Sequence, residues 1–177
     1  MSSIGETKGA QEAFAELYDQ YLDKVFRYIK YRVNGREVAE NLTSTVFEKA
    51  LVNFAKYNSD RASFSTWLFS IARNVLVDHY RVDGRRHSIP LDDVSDRPST
   101  EISPEEAFEL KEEAEKLNLY LAQLPQEEQE IIRLKFAAEL NNRQIARMLG
   151  LTETNVGTKL YRAVRKLRDS FKEPHNG

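Results

Sequence analysis

The sequence predicts an all-α fold: two small helical domains joined by a flexible acidic linker. Three observations carry this. Apolar residues recur at threes and fours through long stretches at both ends of the chain, the spacing of one helix face. No segment alternates apolar and polar residues as a half-buried strand does, and no internal repeat is present. Between them, Pro90, Pro98 and Pro104 punctuate a Ser- and Asp-rich segment too polar to pack a core of its own.

In order along the chain, Phe14, Leu17, Tyr18, Tyr21, Leu22, Val25 and Ile29 mark an amphipathic helix from Gln11 to Val33, ended by Asn34-Gly35. A second helix spans about 36–54 with Leu42, Val46, Phe47, Ala50 and Phe54 inward. A third spans about 65–82, with Trp67, Leu68, Ile71, Ala72, Val75 and Leu76 inward. These make a first domain over 10–82. A linker over 83–104 follows. The second domain, 105–173, opens at Pro104-Glu105-Glu106, where proline suits the first turn and the acids suit the helix dipole. From Asp92 to Lys116 there are ten acidic and three basic residues, so the linker and the next helix carry much of the negative charge. A further helix at 126–136 leads into a helix pair near the end.

Composition excludes several classes. The chain has 177 residues, 41% of them hydrophobic, enough for modest cores. It has no run near the roughly 20 apolar residues of a membrane span, and its first ten residues lack the pattern of a signal peptide, so a cytoplasmic location without membrane insertion is expected. It has no cysteine, and its three histidines lie far apart, which leaves no thiolate zinc site, no metal cluster and no call for a cofactor. No Gly-rich phosphate loop or activated nucleophile is visible, so catalysis by this chain is not expected. With 26 Lys plus Arg against 28 Asp plus Glu, the formal charge is -2, without the basic excess of a protein that seizes nucleic acid unaided.

The helix pair near the end has the grammar of a DNA-reading helix-turn-helix. Asn141 and Thr152 suit N-caps, Ile145, Ala146 and Leu149 supply a buried side, and Gly150 permits the turn. On the second helix Val156, Leu160, Ala163, Val164, Leu167 and Phe171 share one side, and Asn155, Thr158, Lys159, Arg162 and Lys166 the other. Six basic and two acidic residues lie between Glu153 and Lys172. Asn155, Thr158 and Lys159 fall in the first turns, where base edges are reached, with Arg162 and Lys166 further along.

In the first domain a polar loop from Lys56 to Phe64, bearing Tyr57 and Asn58, precedes the third helix. Thr66, Ser70, Arg73, Val77 and Arg81 are expected on the face away from the core, beside that loop. Arginines on a solvent edge next to aromatics can hold single-stranded DNA, the guanidinium groups on phosphates and the loop around an unstacked base.

Phe64-Ser65-Thr66-Trp67-Leu68 with Ile71-Ala72-Arg73-Asn74, and Leu124-Pro125 through Arg162-Ala163, resemble the extracytoplasmic-function sigma factors of bacterial RNA polymerase, of the sigma-70 family. The resemblance runs from about Ala10 to Phe171. It implies that the first domain is similar to sigma region two, which holds the clamp coiled coil of the largest polymerase subunit and melts the minus-ten element. The second would be similar to region four, which reads the minus-thirty-five element and meets the flap of the second-largest subunit. It assigns Tyr57, Asn58, Phe64, Thr66, Trp67, Ser70, Arg73, Asn74 and Arg81 to the minus-ten element, and Asn155, Thr158, Lys159, Arg162 and Lys166 to the minus-thirty-five element. Core polymerase, promoter DNA and an anti-sigma factor are the partners it implies, with a Ser/Thr kinase as the alternative regulator that the departure on the second helix, described next, suggests.

Two departures from the family pattern stand out. Where the family often begins its reading helix Gly-Thr-Val-Lys-Ser-Arg, this chain has Thr154-Asn155-Val156-Gly157-Thr158-Lys159. Where the family has Asp-Ala-Glu-Asp-Leu-Thr-Gln-Glu-Val-Phe, it has Val38-Ala39-Glu40-Asn41-Leu42-Thr43-Ser44-Thr45-Val46-Phe47, keeping only Glu40 of the acids. Glu40, Asn41, Thr45 and Glu48 are thus the expected polymerase contacts, on a row that has lost charge. A phosphate on Thr45, or in second place on Ser44 or Thr43, would restore roughly -1.5 to -2 of charge for a basic clamp. The competing reading of the whole chain is a free-standing helix-turn-helix regulator whose first domain dimerises or senses a ligand.

Overall fold

The computed structural model describes residues 3–83 and 103–172. They form α1 (Ser3–Lys30), α2 (Arg36–Asn53), a 3₁₀ turn (Phe54–Lys56), α3 (Phe64–Asp83), α4 (Pro104–Ala122), α5 (Gln126–Phe136), α6 (Asn142–Leu149) and α7 (Glu153–Lys172), with no strand among the described residues. Most of the predicted linker, 84–102, lies outside them.

The helix α1 starts well before Gln11. Residues 9–13 are exposed, so that stretch carries no apolar period from which a helix could be read. Gly35, at φ 88°, makes the turn into α2, a backbone state that glycine adopts without steric cost. Ser63 starts α3: its carbonyl accepts from the Trp67 amide at 3.1 Å and its hydroxyl from the Thr66 amide at 3.3 Å. At α4, Ser103 and Glu106 form a capping box, with Pro104 in the first turn as the sequence suggests.

The helices α1, α2 and α3 pack around Val25, Tyr28, Ile29, Val46, Phe47, Leu68, Phe69 and Leu76, all buried. Tyr28 carries the most consequence. Its ring meets Phe69 edge-on at 5.3 Å, and its hydroxyl donates to Glu130 Oε1 of α5 at 2.8 Å while accepting from Arg32 Nη1 at 2.8 Å. Burial pushes the Tyr28 phenol up, and Arg32 pulls it back.

That bond joins the two domains, and it has company. Ile131, Leu134, Ala137, Ala138, Leu140 and Ile145 belong to the same buried cluster as the first domain's core. The two helical domains therefore meet along a buried seam. The inward residues of α5 and α6 find apolar cover on the first domain, which burial favours over water. A smaller cluster of Leu124, Ile132 and Ala163, with Leu121 and Leu167 against it, ties α4, α5 and α7 together.

Candidate nucleic-acid interface

The helix-turn-helix is built as the sequence predicts. Asn141 caps α6 by accepting from the Gln144 amide at 2.9 Å, and Gln144 Oε1 accepts from the Asn141 amide at 2.9 Å. Gly150 closes α6 in the left-handed region, φ 68°, with the Leu151 amide donating to the Ala146 carbonyl at 2.9 Å. Thr152 then caps α7, its hydroxyl accepting from the Asn155 amide at 3.1 Å. Val156 and Ala163 are buried, Leu160, Val164 and Leu167 half-buried, and Phe171 stands at the exposed end of the stripe.

On the opposite side Asn155, Thr158 and Arg162 are exposed. The expectation of a wholly free basic face needs one correction. Lys159 Nζ lies 2.6 Å from Glu127 and Lys166 Nζ lies 3.0 Å from Glu128, so α5 holds in ion pairs two of the five residues that the sequence leads one to expect at DNA. The Lys159–Glu127 pair lies at the surface, where such a pair contributes roughly 0–1 kcal/mol and a phosphate can displace it, whereas the carboxylate that holds Lys166 is the buried Glu128. Gly157 sits in the first turns of α7 with room beside it, since an added Cβ would meet only Asn142 Nδ2 at 3.6 Å.

The loop of the first domain is an aromatic cage. Tyr57 stands 5.1 Å from Trp67 and 5.6 Å from Phe64, Phe64 lies 5.5 Å from Trp67, and Tyr21 reaches Phe64 at 5.4 Å. The Tyr57 hydroxyl donates to the Ala62 carbonyl at 3.1 Å and the Asp60 amide to Asn58 Oδ1 at 2.8 Å, which fix the loop at both ends. Desolvation by its neighbours pushes the Tyr57 phenol up. Asn58, Arg73, Asn74 and Arg81 are exposed, as a strand-binding edge requires, and Arg81 lies 3.4 Å from Asp78. Phe64 and Thr66 are buried, so Thr66 is not on the open face that helical spacing assigned to it. Its hydroxyl lies 2.9 Å from Ser63 Oγ at the capped start of α3, where the preceding loop covers a side that further along is solvent. Ser70 is half-buried and donates back to the Thr66 carbonyl at 2.8 Å.

On α2, Asn41 and Glu48 are exposed, and Glu40 is held by Arg36 Nε at 2.7 Å. The three hydroxyls separate clearly. Thr43 is buried and donates to the Ala39 carbonyl at 2.7 Å, which removes it from reach of a modifying enzyme. Ser44 is exposed, and Thr45 is half-buried, donating to the Asn41 carbonyl at 2.9 Å.

The sequence reading missed a basic run at the end of α1. Lys24 Nζ meets Glu139 Oε2 at 2.6 Å, Arg27 meets Glu139 Oε1 at 3.0 Å, and Arg32 pairs with Glu130. Lys24 and Arg27 are one helical turn apart, with Arg32 just past the helix end, a spacing that could have flagged them. Beside them a cleft of about 340 Å³ is lined in part by Tyr31, Arg32, Arg73, Tyr80, Glu130 and Arg133. Desolvation first, and then the nearby Arg32, lower the Arg133 guanidinium to about 10. At the other end of the seam Gln144 Nε2 donates to Ser63 Oγ at 2.8 Å and to Ser65 Oγ at 3.0 Å, and Arg147 Nη1 donates to the Arg61 carbonyl at 2.8 Å.

Among the described residues no helix is long and apolar enough to cross a membrane, and no group of candidate metal ligands is gathered. The family model for Sigma-70 region 2 matches residues 17–86, and that for Sigma-70, region 4 matches residues 114–167. The ECF RNA polymerase sigma factor BldN of Streptomyces coelicolor is 38% identical over 160 residues, covering 90% of this chain; the chain spans 60% of that relative's length. The ECF RNA polymerase sigma factor SigM of Bacillus subtilis is 27% identical over 154 residues, with 86% of this chain and 91% of that protein covered. Among solved structures, the sigma factor RpoE of Bartonella quintana, determined with the anti-sigma factor NepR, shares the fold at TM-score 0.69 and 18% identity, covering 91% of this chain and 98% of that one. The chain belongs to the sigma-70 family, as a sigma factor of the extracytoplasmic-function type.

Proposed function

We propose that this chain is a promoter-specificity subunit that joins core RNA polymerase, directs it to promoters with two elements and assists opening of the duplex. The observation that carries the reading is the pairing, in one chain, of a capped helix-turn-helix and an aromatic loop backed by Arg73 and Asn74, each within the family region of corresponding role. Asn155, Thr158 and Arg162 read the upstream element, with Lys159 and Lys166 recruited from their ion pairs. In the first domain Tyr57, Asn58, Trp67, Arg73, Asn74 and Arg81 engage the opened strand, and Phe64, Thr66 and Ser70 hold the loop in shape. Chemistry on the nucleotides belongs to the polymerase.

Glu40, Asn41, Thr45 and Glu48 on α2 form the contact to the polymerase clamp, with phosphorylation of Thr45 supplying charge that the row lacks. The exposed Asn41 and Glu48 favour this placement, and the partly accessible Thr45 hydroxyl favours the modification. Transcription by core polymerase with the purified protein on a promoter library tests the main reading. A single shared motif pair upstream of the starts is expected. Initiation no better than with core polymerase alone would contradict it.

A further inference from the structure

We infer that the cleft lined by Arg32, Arg73 and Arg133 is a binding site for a nucleoside phosphate of mononucleotide size, its phosphate held by the three guanidinium groups and its base set against Tyr31 and the apolar wall beside it. The inference stands on the cleft itself and goes beyond the promoter reading above without resting on it.

The charge of the cleft is unbalanced. Arg32 stands just past α1, Arg73 lies on α3 and Arg133 on α5, and all three line one space of about 340 Å³. Two carboxylates share that lining, Glu127 and Glu130. Glu127 is held by Lys159 Nζ at 2.6 Å, and Glu130 accepts from the Tyr28 hydroxyl at 2.8 Å while pairing with Arg32. Arg133 donates to the Gln129 side chain at 3.1 Å, and among the described residues neither Arg73 nor Arg133 is in an ion pair. Arg32 adds a sharper sign. Its side chain is only 9% exposed, and its buried Nε has no hydrogen-bond partner. A buried N–H without an acceptor is costly, and an oxygen of a bound anion satisfies it. Desolvation and then the like charge of Arg32 disfavour the Arg133 cation, and an anion placed between the two relieves that repulsion.

Charge and size select the class of ligand. Three guanidinium groups against the one carboxylate not held elsewhere leave two positive charges, which match the roughly -1.5 to -2 of a phosphate monoester better than the single charge of a diester link. Planar guanidinium forks bind such oxygens in pairs. The volume falls at the lower end of the roughly 300–1,000 Å³ of small-molecule sites, which leaves room for one mononucleotide. The rest of the lining suits a flat ring. Tyr31 is 40% and Val77 56% exposed, with Leu76 and Leu149 in the same wall, and the Tyr80 hydroxyl donates to the Arg32 carbonyl, tying a second ring to the phosphate end. Stacking on an aromatic face serves any base. Because Arg32 and Arg73 belong to the first domain and Arg133 to the second, a bound ligand ties the domains together and stabilises this arrangement by mass action.

Isothermal titration and thermal melting of the full chain test this with the ribonucleoside 5′-monophosphates of all four bases, the matching unphosphorylated nucleosides and inorganic phosphate, at fixed ionic strength. At least one monophosphate is expected to bind saturably and to raise the melting point as its concentration rises. Its nucleoside should not bind, and inorganic phosphate should bind about tenfold more weakly, since it lacks the ring. Arg73→Gln and Arg133→Gln should each weaken the monophosphate about tenfold, with circular dichroism checking each fold. Tyr31→Ala should weaken the monophosphate several-fold and leave phosphate unchanged. Absence of saturable binding by every monophosphate overturns the inference, as does phosphate binding as tightly as the monophosphates, or binding untouched by both arginine changes. Where Arg133→Gln unfolds the chain, Arg73→Gln, at an exposed position, decides alone. Transcription with core polymerase is read separately, so a chain that directs initiation yet binds no monophosphate loses this site and keeps its proposed function.

Discussion

Glu139 links charge and closure at the scale of one residue. Hydrogen bonds from Lys24 and Arg27 hold its carboxyl below the usual carboxylate range. A carboxyl whose folded value is depressed contributes above its unfolded pKa, about 4.3, and loses that contribution as pH falls through the lower folded value. The contact between the domains should therefore loosen on acidification below about pH 4.3, and Glu139→Gln should remove that part of the pH dependence. A fluorescence distance between labels in the two domains, followed against pH for both proteins, reads it. Gly157 offers a second residue-level test. Its added Cβ meets ordinary van der Waals space, so Gly157→Ala should stabilise α7 by about 0.5–1 kcal/mol, seen as a melting point higher by a few degrees. Phe64→Ala should instead cost about 3–5 kcal/mol in a denaturant melt, because this ring is buried inside the cage.

At the scale of elements, the helices were legible where caps and periodicity agree. Asn141, Gly150 and Thr152 delimit α6 and start α7 from their chemistry alone, and the buried Val156 and Ala163 follow from the period of 3.6. Legibility failed where an element's neighbour, rather than its own sequence, decides exposure. Thr66 is covered by the turn before α3, and Lys159 and Lys166 meet acids of α5 that no spacing within α7 could announce. The division of labour between the elements predicts separable defects. Arg162→Ala should weaken use of the upstream element, and Arg73→Ala or Asn58→Ala should slow opening near the start site. Permanganate footprinting on a premelted template distinguishes them: premelting should rescue the loop changes and leave the Arg162→Ala defect. On α2, Thr45→Glu should raise affinity for core polymerase over Thr45→Ala if the phosphate acts as proposed. Equal affinity and equal transcription for the unmodified protein and both variants would contradict it.

For the whole molecule, the seam between the domains is what the sequence left unread. Helical periodicity reports that a face is apolar and is silent on what covers it, so Ile131, Leu134 and Ile145 were legible as inward-facing but not as part of the first domain's core. Tyr28, three residues past Val25 and seven past Tyr21, lies on the apolar face of α1, but its bonds to Glu130 and Arg32 are not written in that period. A closed seam and a net charge of -2 both predict weak binding of duplex DNA by the free protein at physiological salt, with specificity emerging in the polymerase complex. The most direct measurement is initiation by core polymerase with and without this protein on a randomised promoter library, with starts mapped by sequencing. The structure predicts protein-dependent starts preceded by two fixed elements, the upstream one lost with Arg162→Ala. Starts that ignore the protein, together with tight sequence-specific duplex binding by the free chain, would contradict the account and indicate a free-standing regulator.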